Sequence, residues 1–233
     1  MVLTGHAAAS LLRRRGAGLL LDLDGTLVDS EPVHRAAFRA YFASRGWDVE
    51  EEVVRLFGGR RAQEVFPTLD GPWRGEDPHT LTAGVIDALR ASTTRPAPVP
   101  GAAELVAACL RRGVPAVIVT SAGHEWVDRA LDGLGVARDA LPRVTAEDCA
   151  AGKPDPEPYL RGIAALDLPA GGLVAVEDTP AGVTSARVAG VGTVLGITTS
   201  HPREALRGAD DVVADLAVLA RALTPSDGRS GRH

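Results

Sequence analysis

Apolar and polar positions along the chain follow two different periods, and these periods alternate. Short apolar runs of strand length are separated by stretches in which apolar residues recur every three or four positions, as on one face of a helix. The apolar runs predict strands over residues 19–21, 116–120, 173–176, 193–197 and 211–214. The helical spacing predicts helices over residues 102–112, 124–134, 157–166, 180–189 and 216–223. Such alternation is typical of an α/β fold with a Rossmann-like, doubly wound parallel sheet.

The long stretch between the first two strands lacks any strand pattern. Its spacing predicts helices over residues 31–45, about 50–57 and about 79–91, and glycines follow the first two of them. A proline-rich segment, residues 95–101, then forms a stiff connector of the kind that separates domains. We therefore predict a Rossmann-like core made of residues 1–29 and 98–233, with residues 30–97 inserted in it as an all-helical cap.

Composition narrows the class of protein. A chain of 233 residues that is 45% hydrophobic can form one or two globular domains. Its net charge of −5 and the lack of a basic stripe argue against nucleic acid as a partner. No apolar segment reaches the roughly 20 residues that span a bilayer, so we expect no membrane partner.

The ends of the chain and its two cysteines add expectations about environment. Apolar residues precede the N-terminal arginines, whereas a signal peptide places its positive charge first. Cys109 and Cys149 lack the spacing of a metal site and suggest buried thiols in a reducing compartment. We therefore expect a cytoplasmic protein that is a monomer or a dimer. The N-terminal segment is expected to form a short arm or a helix, with flexible ends at residues 1–15 and 224–233.

Two carboxylates directly after the first predicted strand are the strongest chemical signal. The run is Asp22-Leu23-Asp24-Gly25-Thr26. Burial of a carboxylate pair costs free energy, and open α/β sheets place their sites at the carboxyl ends of their strands. The alternative is an ordinary Asp-Gly turn, which would need no partners elsewhere in the chain.

Such partners follow at later strand ends and in one loop. Thr120 closes a β-branched strand with a hydroxyl that suits a phosphoryl oxygen, although strands often end in threonine. Lys153, between Gly152 and Pro154, is the only lysine in a chain that otherwise uses arginine. A lone lysine suggests a site that needs a compact point charge, although a solvated surface lysine would look the same.

Glu177 and Asp178 end the third predicted strand and precede a helix. They could simply complement the helix dipole, but their position after a buried strand favours a metal site. Together with Asp22, a backbone carbonyl and waters, Asp178 would offer the hard oxygen ligands that Mg²⁺ prefers.

Taken in order, these segments resemble the four motifs of the haloacid dehalogenase superfamily. The similarity spans residues 19–215, in the subgroup whose helical cap lies between the first and second motifs. Residues 28–32, 152–157 and 177–182 are most similar to the sugar and polyol phosphate phosphatases of that subgroup. The resemblance implies Mg²⁺-dependent hydrolysis of a small phosphorylated metabolite.

The resemblance also implies roles for individual residues. Asp22 would attack phosphorus to give an aspartyl-phosphate, which water then hydrolyses. Asp24 would donate a proton to the leaving alkoxide and take one from the attacking water. Lys153 and Thr120 would neutralise charge on the phosphoryl oxygens. The implied metal ligands are Asp22, Asp24, Glu177 and Asp178.

Substrate contacts are expected from the core motifs and from the cap. Arg60 follows the flexible pair Gly58 and Gly59 and is the cap side chain that we expect to reach the substrate, although paired arginines are often solvated. Glu31 and His34 lie near the entrance of the cap. The predicted substrate-binding residues are Gly25, Thr26, Glu31, His34, Arg60 and Ser121.

Related activities can be weighed against these residues. A dehalogenase of this fold has no need of Asp24 as a proton donor, and a phosphonoacetaldehyde-type hydrolase needs a lysine in its cap, where this chain has none. A β-phosphoglucomutase-like phosphosugar mutase stays open, because His34 falls where those mutases carry a cap histidine. They also use a cap lysine, which is missing here. A non-catalytic domain that binds a phosphorylated ligand is the remaining alternative.

Overall fold

The computed structural model describes residues 6–224, and the observations below concern that part of the chain. It contains eight strands: β1 (Gly18–Leu21), β2 (Val28–Asp29), β3 (Ala97–Pro98), β4 (Ala116–Val119), β5 (Arg143–Val144), β6 (Leu173–Glu177), β7 (Thr193–Ile197) and β8 (Asp211–Val213). The helices are α1 (His6–Leu11), α2 (Glu31–Ser44), α3 (Glu51–Arg55), α4 (Ala62–Val65), α5 (Pro78–Ala91), α6 (Ala102–Arg112), α7 (His124–Leu134), α8 (Glu157–Leu166), α9 (Pro180–Val188) and α10 (Ala217–Leu223).

A parallel sheet of six strands forms the centre of the molecule, in the order β5-β4-β1-β6-β7-β8. The residues of β1 are fully buried and alternate between the two faces. Leu19 and Leu21 pack in one hydrophobic cluster and Leu20 in the other. Because both faces are covered, the strand is apolar at every position, as parallel sheets require. The predicted doubly wound α/β sheet is confirmed.

Helices α2 to α5 (residues 31–91) lie between β2 and β3 in the sequence. They form a helical insertion that has a hydrophobic cluster of its own. This cluster is rich in aromatic rings, and Phe42 stacks on Trp73 with ring centroids 5.4 Å apart. Its buried members are Phe38, Tyr41, Phe42, Val54, Phe57, Val65, Phe66, Trp73, Leu81 and Val85. The helical insertion therefore has enough buried apolar surface to hold its helices together.

The two segments that join the helical insertion to the sheet are paired with each other. Val28 pairs with Pro98 and Asp29 with Ala97 in a short antiparallel ladder. Residue 97, the last of the region predicted to be an all-helical cap, therefore belongs to strand β3, and the prediction is wrong there. The proline-rich segment is not a free spacer, because its extended backbone, fixed by proline, suits a strand.

Of the expectations for the N-terminal segment, the helix agrees with α1, whereas a flexible end does not hold from residue 6 onward, because α1 packs against α10. Ala8 and Leu12 are 1% and 2% exposed and belong to the core. Residues 1–5 and 225–233, which complete the two expected flexible ends, lie outside the described residues. Within residues 6–224, no helix has both the length and the apolar character to cross a membrane.

Substitution of Phe42 by alanine tests the cluster of the helical insertion. Loss of a buried aromatic ring should lower the free energy of unfolding by about 3 to 5 kcal/mol, measured by urea denaturation. Leu56, on the same insertion but 52% exposed, is the matched control, and Leu56→Ala should change that free energy by about 0.5 kcal/mol or less. Equal losses in the two variants would contradict this assignment of the core.

Candidate active site

Three adjacent strands deliver polar side chains to one edge of the sheet. Asp22 follows β1, Thr120 follows β4, and β6 ends at Glu177, with Asp178 next. The backbone hydrogen bonds of the parallel sheet continue into Asp22 and Thr120. The Asp22 amide donates to the Val176 carbonyl (3.1 Å), and the Thr120 amide donates to the Val144 carbonyl (2.9 Å). The hydrogen-bonded backbone therefore fixes the Cα positions of Asp22 and Thr120.

Lys153 reaches the same edge from the loop between β5 and α8. Its Nζ donates to Asp22 Oδ1 (2.6 Å), to Glu177 Oε1 (2.5 Å) and to the Val119 carbonyl (2.9 Å). The residue is 1% exposed, and the three hydrogens of its ammonium group match three acceptors. Tyr159, which the sequence reasoning did not single out, donates its hydroxyl to Glu177 Oε1 at 2.8 Å. Lys153 is therefore a fixed buried charge.

Asp22, Glu177 and Asp178 form a buried acidic cluster whose candidate ligand atoms lie within 4.8 Å of one another. With the ammonium of Lys153, three carboxylates would leave a formal charge of −2. Burial raises the pKa of Asp22 to about 8, with Lys153 opposing this shift and Glu177 adding to it. Burial and the nearby charge of Asp22 also raise the pKa of Asp178 well above its usual range. A divalent cation would relieve both effects.

The free oxygen atoms of this cluster fit a hard cation. Asp22 Oδ2 and Asp178 Oδ1 are buried without a hydrogen-bond partner among the described residues. Glu177 differs, because Lys153 and Tyr159 donate to its Oε1 and the Thr179 hydroxyl contacts its Oε2 at 3.2 Å. The donor set of Asp22 and Asp178 is thus the part of the cluster best suited to Mg²⁺.

The carboxylate of Asp24 lies outside this acidic cluster. Its Oδ1 accepts a hydrogen bond from Trp126 Nε1 at 2.7 Å, and His34 Nε2 lies 3.6 Å away. Trp126 is the first aromatic residue of α7, and sequence reasoning missed it because an apolar ring at helical spacing indicates only a core position.

Close packing explains the glycine of the first motif. Gly25 has φ +79°, and a Cβ added there would lie 1.9 Å from Asp178 Oδ2. Thr26 beside it is fully buried, and its Oγ1 has no hydrogen-bond partner among the described residues. The Thr120 hydroxyl accepts from the amide of Ala122 at 3.0 Å. Of the predicted phosphate-binding groups, Thr26 thus retains a hydroxyl free of protein partners.

The adjacent residues Arg60 and Arg61 of the helical insertion have different surroundings. Arg61 is 6% exposed and donates to the carbonyls of Ala146 (2.9 Å) and Cys149 (3.1 Å), in the loop that leads to Lys153. Glu64 accepts from the amide of Gly152 in the same loop at 3.0 Å. Arg60 is partly buried, and its Nε has no hydrogen-bond partner among the described residues. Arg61 therefore joins the helical insertion to the core, and the substrate contact of Arg60 stays a prediction.

Further contacts bring the insertion close to the core motifs. The Ser121 hydroxyl is 3.4 Å from the Gly59 carbonyl. A Cβ added to Gly59, which has φ +70°, would lie 2.3 Å from Thr179 Cγ2. Small residues are needed here because the backbone of the insertion lies directly on the core.

A cleft of about 490 Å³ lies between the helical insertion and the strand ends. Asp24 and Asp178 line its core side, and Glu31 and His34 line the opposite side. The loop after β7 adds Thr199, Ser200 and His201, which sequence reasoning missed. Their polar run at a strand end was the available signal. His201 Nδ1 lies 3.1 Å from the Asp178 carbonyl, which places it beside the acidic cluster.

Comparison with known proteins gives consistent results. A family model described as haloacid dehalogenase-like hydrolase matches residues 17–190. The chain is 37% identical to validoxylamine A 7'-phosphate phosphatase of Streptomyces hygroscopicus subsp. limoneus, over 84% of this chain and 92% of the relative. It is 34% identical to hexitol phosphatase A of Escherichia coli (strain K12), over 76% and 81%. The structure of CbbY from Rhodobacter sphaeroides in complex with phosphate is similar, with a TM-score of 0.75, 26% identity and coverage of 87% and 95%.

Gly25→Ala tests the packing of the first motif against the acidic cluster. The new Cβ should displace the Asp178 carboxylate. If the acidic cluster binds Mg²⁺, the affinity measured by isothermal titration calorimetry should then fall by about tenfold or more. Gly113, with φ +63° and open space around it, is the matched control. Both variants should lose about 1 to 2 kcal/mol of stability from left-handed backbone strain, whereas Gly113→Ala should bind Mg²⁺ normally. Equal Mg²⁺ affinities would refute the proposed contact.

Proposed function

The chain belongs to the haloacid dehalogenase-like hydrolase family, and on that premise we propose that it is a Mg²⁺-dependent phosphatase of sugar or polyol phosphates that works through an aspartyl-phosphate. The match over residues 17–190 confirms the family. The enzyme class is phosphoric monoester hydrolase, as in the named relatives. One observation carries the mechanism: Asp22 is buried, with one oxygen held by Lys153 and the other without a hydrogen-bond partner in the described part of the chain.

Asp22 would act as the nucleophile. Lys153 donates to Oδ1 and so restricts the rotation of the carboxylate. Attack forms a bond from an Asp22 oxygen to phosphorus and breaks the bond from phosphorus to the ester oxygen, which leaves with the electron pair. Water then attacks phosphorus, which releases inorganic phosphate and restores the carboxylate.

Asp24 would handle the protons of both steps. It gives a proton to the departing alkoxide, since an alkoxide leaves poorly without one, and it takes a proton from the attacking water. Its position on the cleft wall, outside the acidic cluster, supports this separate role. Asp24 and Glu177, both suggested by the sequence as metal ligands, are therefore assigned other tasks: Asp24 moves protons and Glu177 holds Lys153.

Electrostatic stabilisation would come from groups that are already in place. The Lys153 ammonium is fixed by three acceptors. The buried hydroxyls of Thr26 and Thr120 would add hydrogen-bond donors. Preorganised groups of this kind need no rearrangement as charge develops on the phosphoryl oxygens. Mg²⁺ held by Asp22 and Asp178 would supply further positive charge there.

The leaving group would occupy the cleft under the helical insertion. Its walls mix apolar rings with hydroxyl, carboxylate and imidazole groups, which suits a compound with many hydroxyls. The relatives are named for validoxylamine A 7'-phosphate and for hexitol phosphates, which supports the same substrate class. The free, buried thiols of Cys109 and Cys149 support a cytoplasmic location.

A phosphosugar mutase is the second candidate, because His34 lies 3.6 Å from Asp24. The position of the only lysine weighs against it. Lys153 is buried beside Asp22, so the helical insertion has no lysine to hold a second phosphate. A non-catalytic binding domain would be expected if a motif residue were lost, and Asp22, Lys153 and Asp178 are all present.

A panel of hexose, pentose and polyol monophosphates, assayed with Mg²⁺ for release of inorganic phosphate, tests the proposed function. We expect phosphate release from several members, with polyol or hexose esters among the best. An isomerised phosphosugar without net phosphate release would instead identify a mutase. Binding without turnover of any member would instead support a non-catalytic domain that binds a phosphorylated ligand.

Asp22→Asn should abolish turnover, because an amide is a poor nucleophile and cannot form the aspartyl-phosphate. The fall should be at least about 10³-fold, and the circular dichroism spectrum should stay that of the native protein. Asp70→Asn, whose side chain is 91% exposed on the helical insertion, is the control and should keep full activity. Substantial residual turnover in Asp22→Asn would remove Asp22 from the nucleophile role.

A further inference from the structure

Within residues 6–224, the carboxylate of Asp24 accepts one side-chain hydrogen bond, and its donor is an indole. Trp126 Nε1 donates to Asp24 Oδ1 at 2.7 Å, between residues 102 positions apart in the chain. Trp126 is 6% exposed. A buried indole N–H that meets a carboxylate forms a charge-assisted hydrogen bond, which is stronger and more directional than a neutral one.

Indole chemistry makes this hydrogen bond asymmetric. The indole nitrogen is a donor only, so it can never take a proton from the carboxyl group. Oδ1 therefore has to act as an acceptor towards Trp126. A proton on Asp24 belongs on Oδ2, the oxygen left for the substrate and for water.

Trp126 is itself held firmly. It lies in the first turn of α7, with its ring 4.7 Å from the ring of His34 and the Arg129 guanidinium 5.5 Å from its centroid. Arg129 also donates to the carbonyls of Leu89 (3.1 Å) and Ser92 (3.2 Å), at the end of α5. The indole is thus fixed where α7 of the core meets the helical insertion.

We propose that Trp126 is a positioning residue for the reaction: its indole holds Asp24 by Oδ1 and so presents Oδ2 to the leaving oxygen. The proton moves from Asp24 Oδ2 to the ester oxygen as the bond from that oxygen to phosphorus breaks, and Oδ2 later takes a proton from water. Trp126 exchanges no proton. The inference rests on the proposed function, since the acid matters only where an ester bond is cleaved.

Trp126→Phe removes the N–H and keeps an aromatic ring against His34. The test compares two esters on one preparation: a polyol or hexose phosphate, whose alkoxide needs a proton to leave, and p-nitrophenyl phosphate, whose phenolate leaves without one. We expect kcat/KM to fall about tenfold or more for the alkyl ester and less than twofold for the aryl ester. Because both esters meet the same enzyme, the folded fraction cancels in the ratio.

Two further variants make the result specific. Trp47→Phe, which changes an aromatic partner of Tyr41 within the helical insertion, should leave the ratio of the two rates unchanged. In an Asp24→Asn background, Trp126→Phe should lower the alkyl rate no further, because the group that it positions is already lost.

Three outcomes would overturn the inference. These are an equal fall for both esters in Trp126→Phe, no fall for either ester, and an additional fall in the Asp24→Asn background. The proposed function fails separately, through a wild-type enzyme that releases phosphate from neither ester.

Discussion

The buried ammonium of Lys153 is the interaction on which the site depends. A charge that is 1% exposed is tolerable only if acceptors surround it, and Asp22, Glu177 and the Val119 carbonyl do so at 2.5 to 2.9 Å. These acceptors come from the ends of three adjacent strands, so the ammonium is satisfied only when the sheet is correctly assembled. Fold and site are therefore coupled through one group.

The helical insertion contributes to the same arrangement from the other side. Arg61 and Glu64 hydrogen-bond the backbone of the loop that carries Lys153. Trp126 joins Asp24 to the region where α7 meets the insertion. The Lys153 loop and Asp24 are thus held by residues that exchange no proton and form no bond in the reaction, because a reactive group is useful only within a few tenths of an ångström of its working position.

Several residues of the candidate site could be predicted because they lie at the carboxyl ends of apolar strands. Asp22, Thr120 and Glu177 follow or end apolar strands, and parallel strands bring such ends to one edge. What could not be predicted depends on where side chains point. Arg61, rather than Arg60, reaches the core loop, and the Asp24 carboxylate turns to Trp126 instead of the acidic cluster. Residues that are adjacent in sequence look equivalent until packing separates them.

The sequence by itself determined the α/β class, the helical insertion and the four segments that carry the chemistry, because periodicity and strand-end motifs are local properties of the chain. Only the tertiary structure decided which carboxylate oxygens lack a hydrogen-bond partner within residues 6–224 and which arginine is buried. It also decided that Trp126 contacts Asp24, that α1 packs on α10 and that β2 pairs with β3. Those outcomes depend on contacts between residues up to 209 positions apart, and no local pattern encodes the distance between two side chains that meet only when the whole sheet has formed.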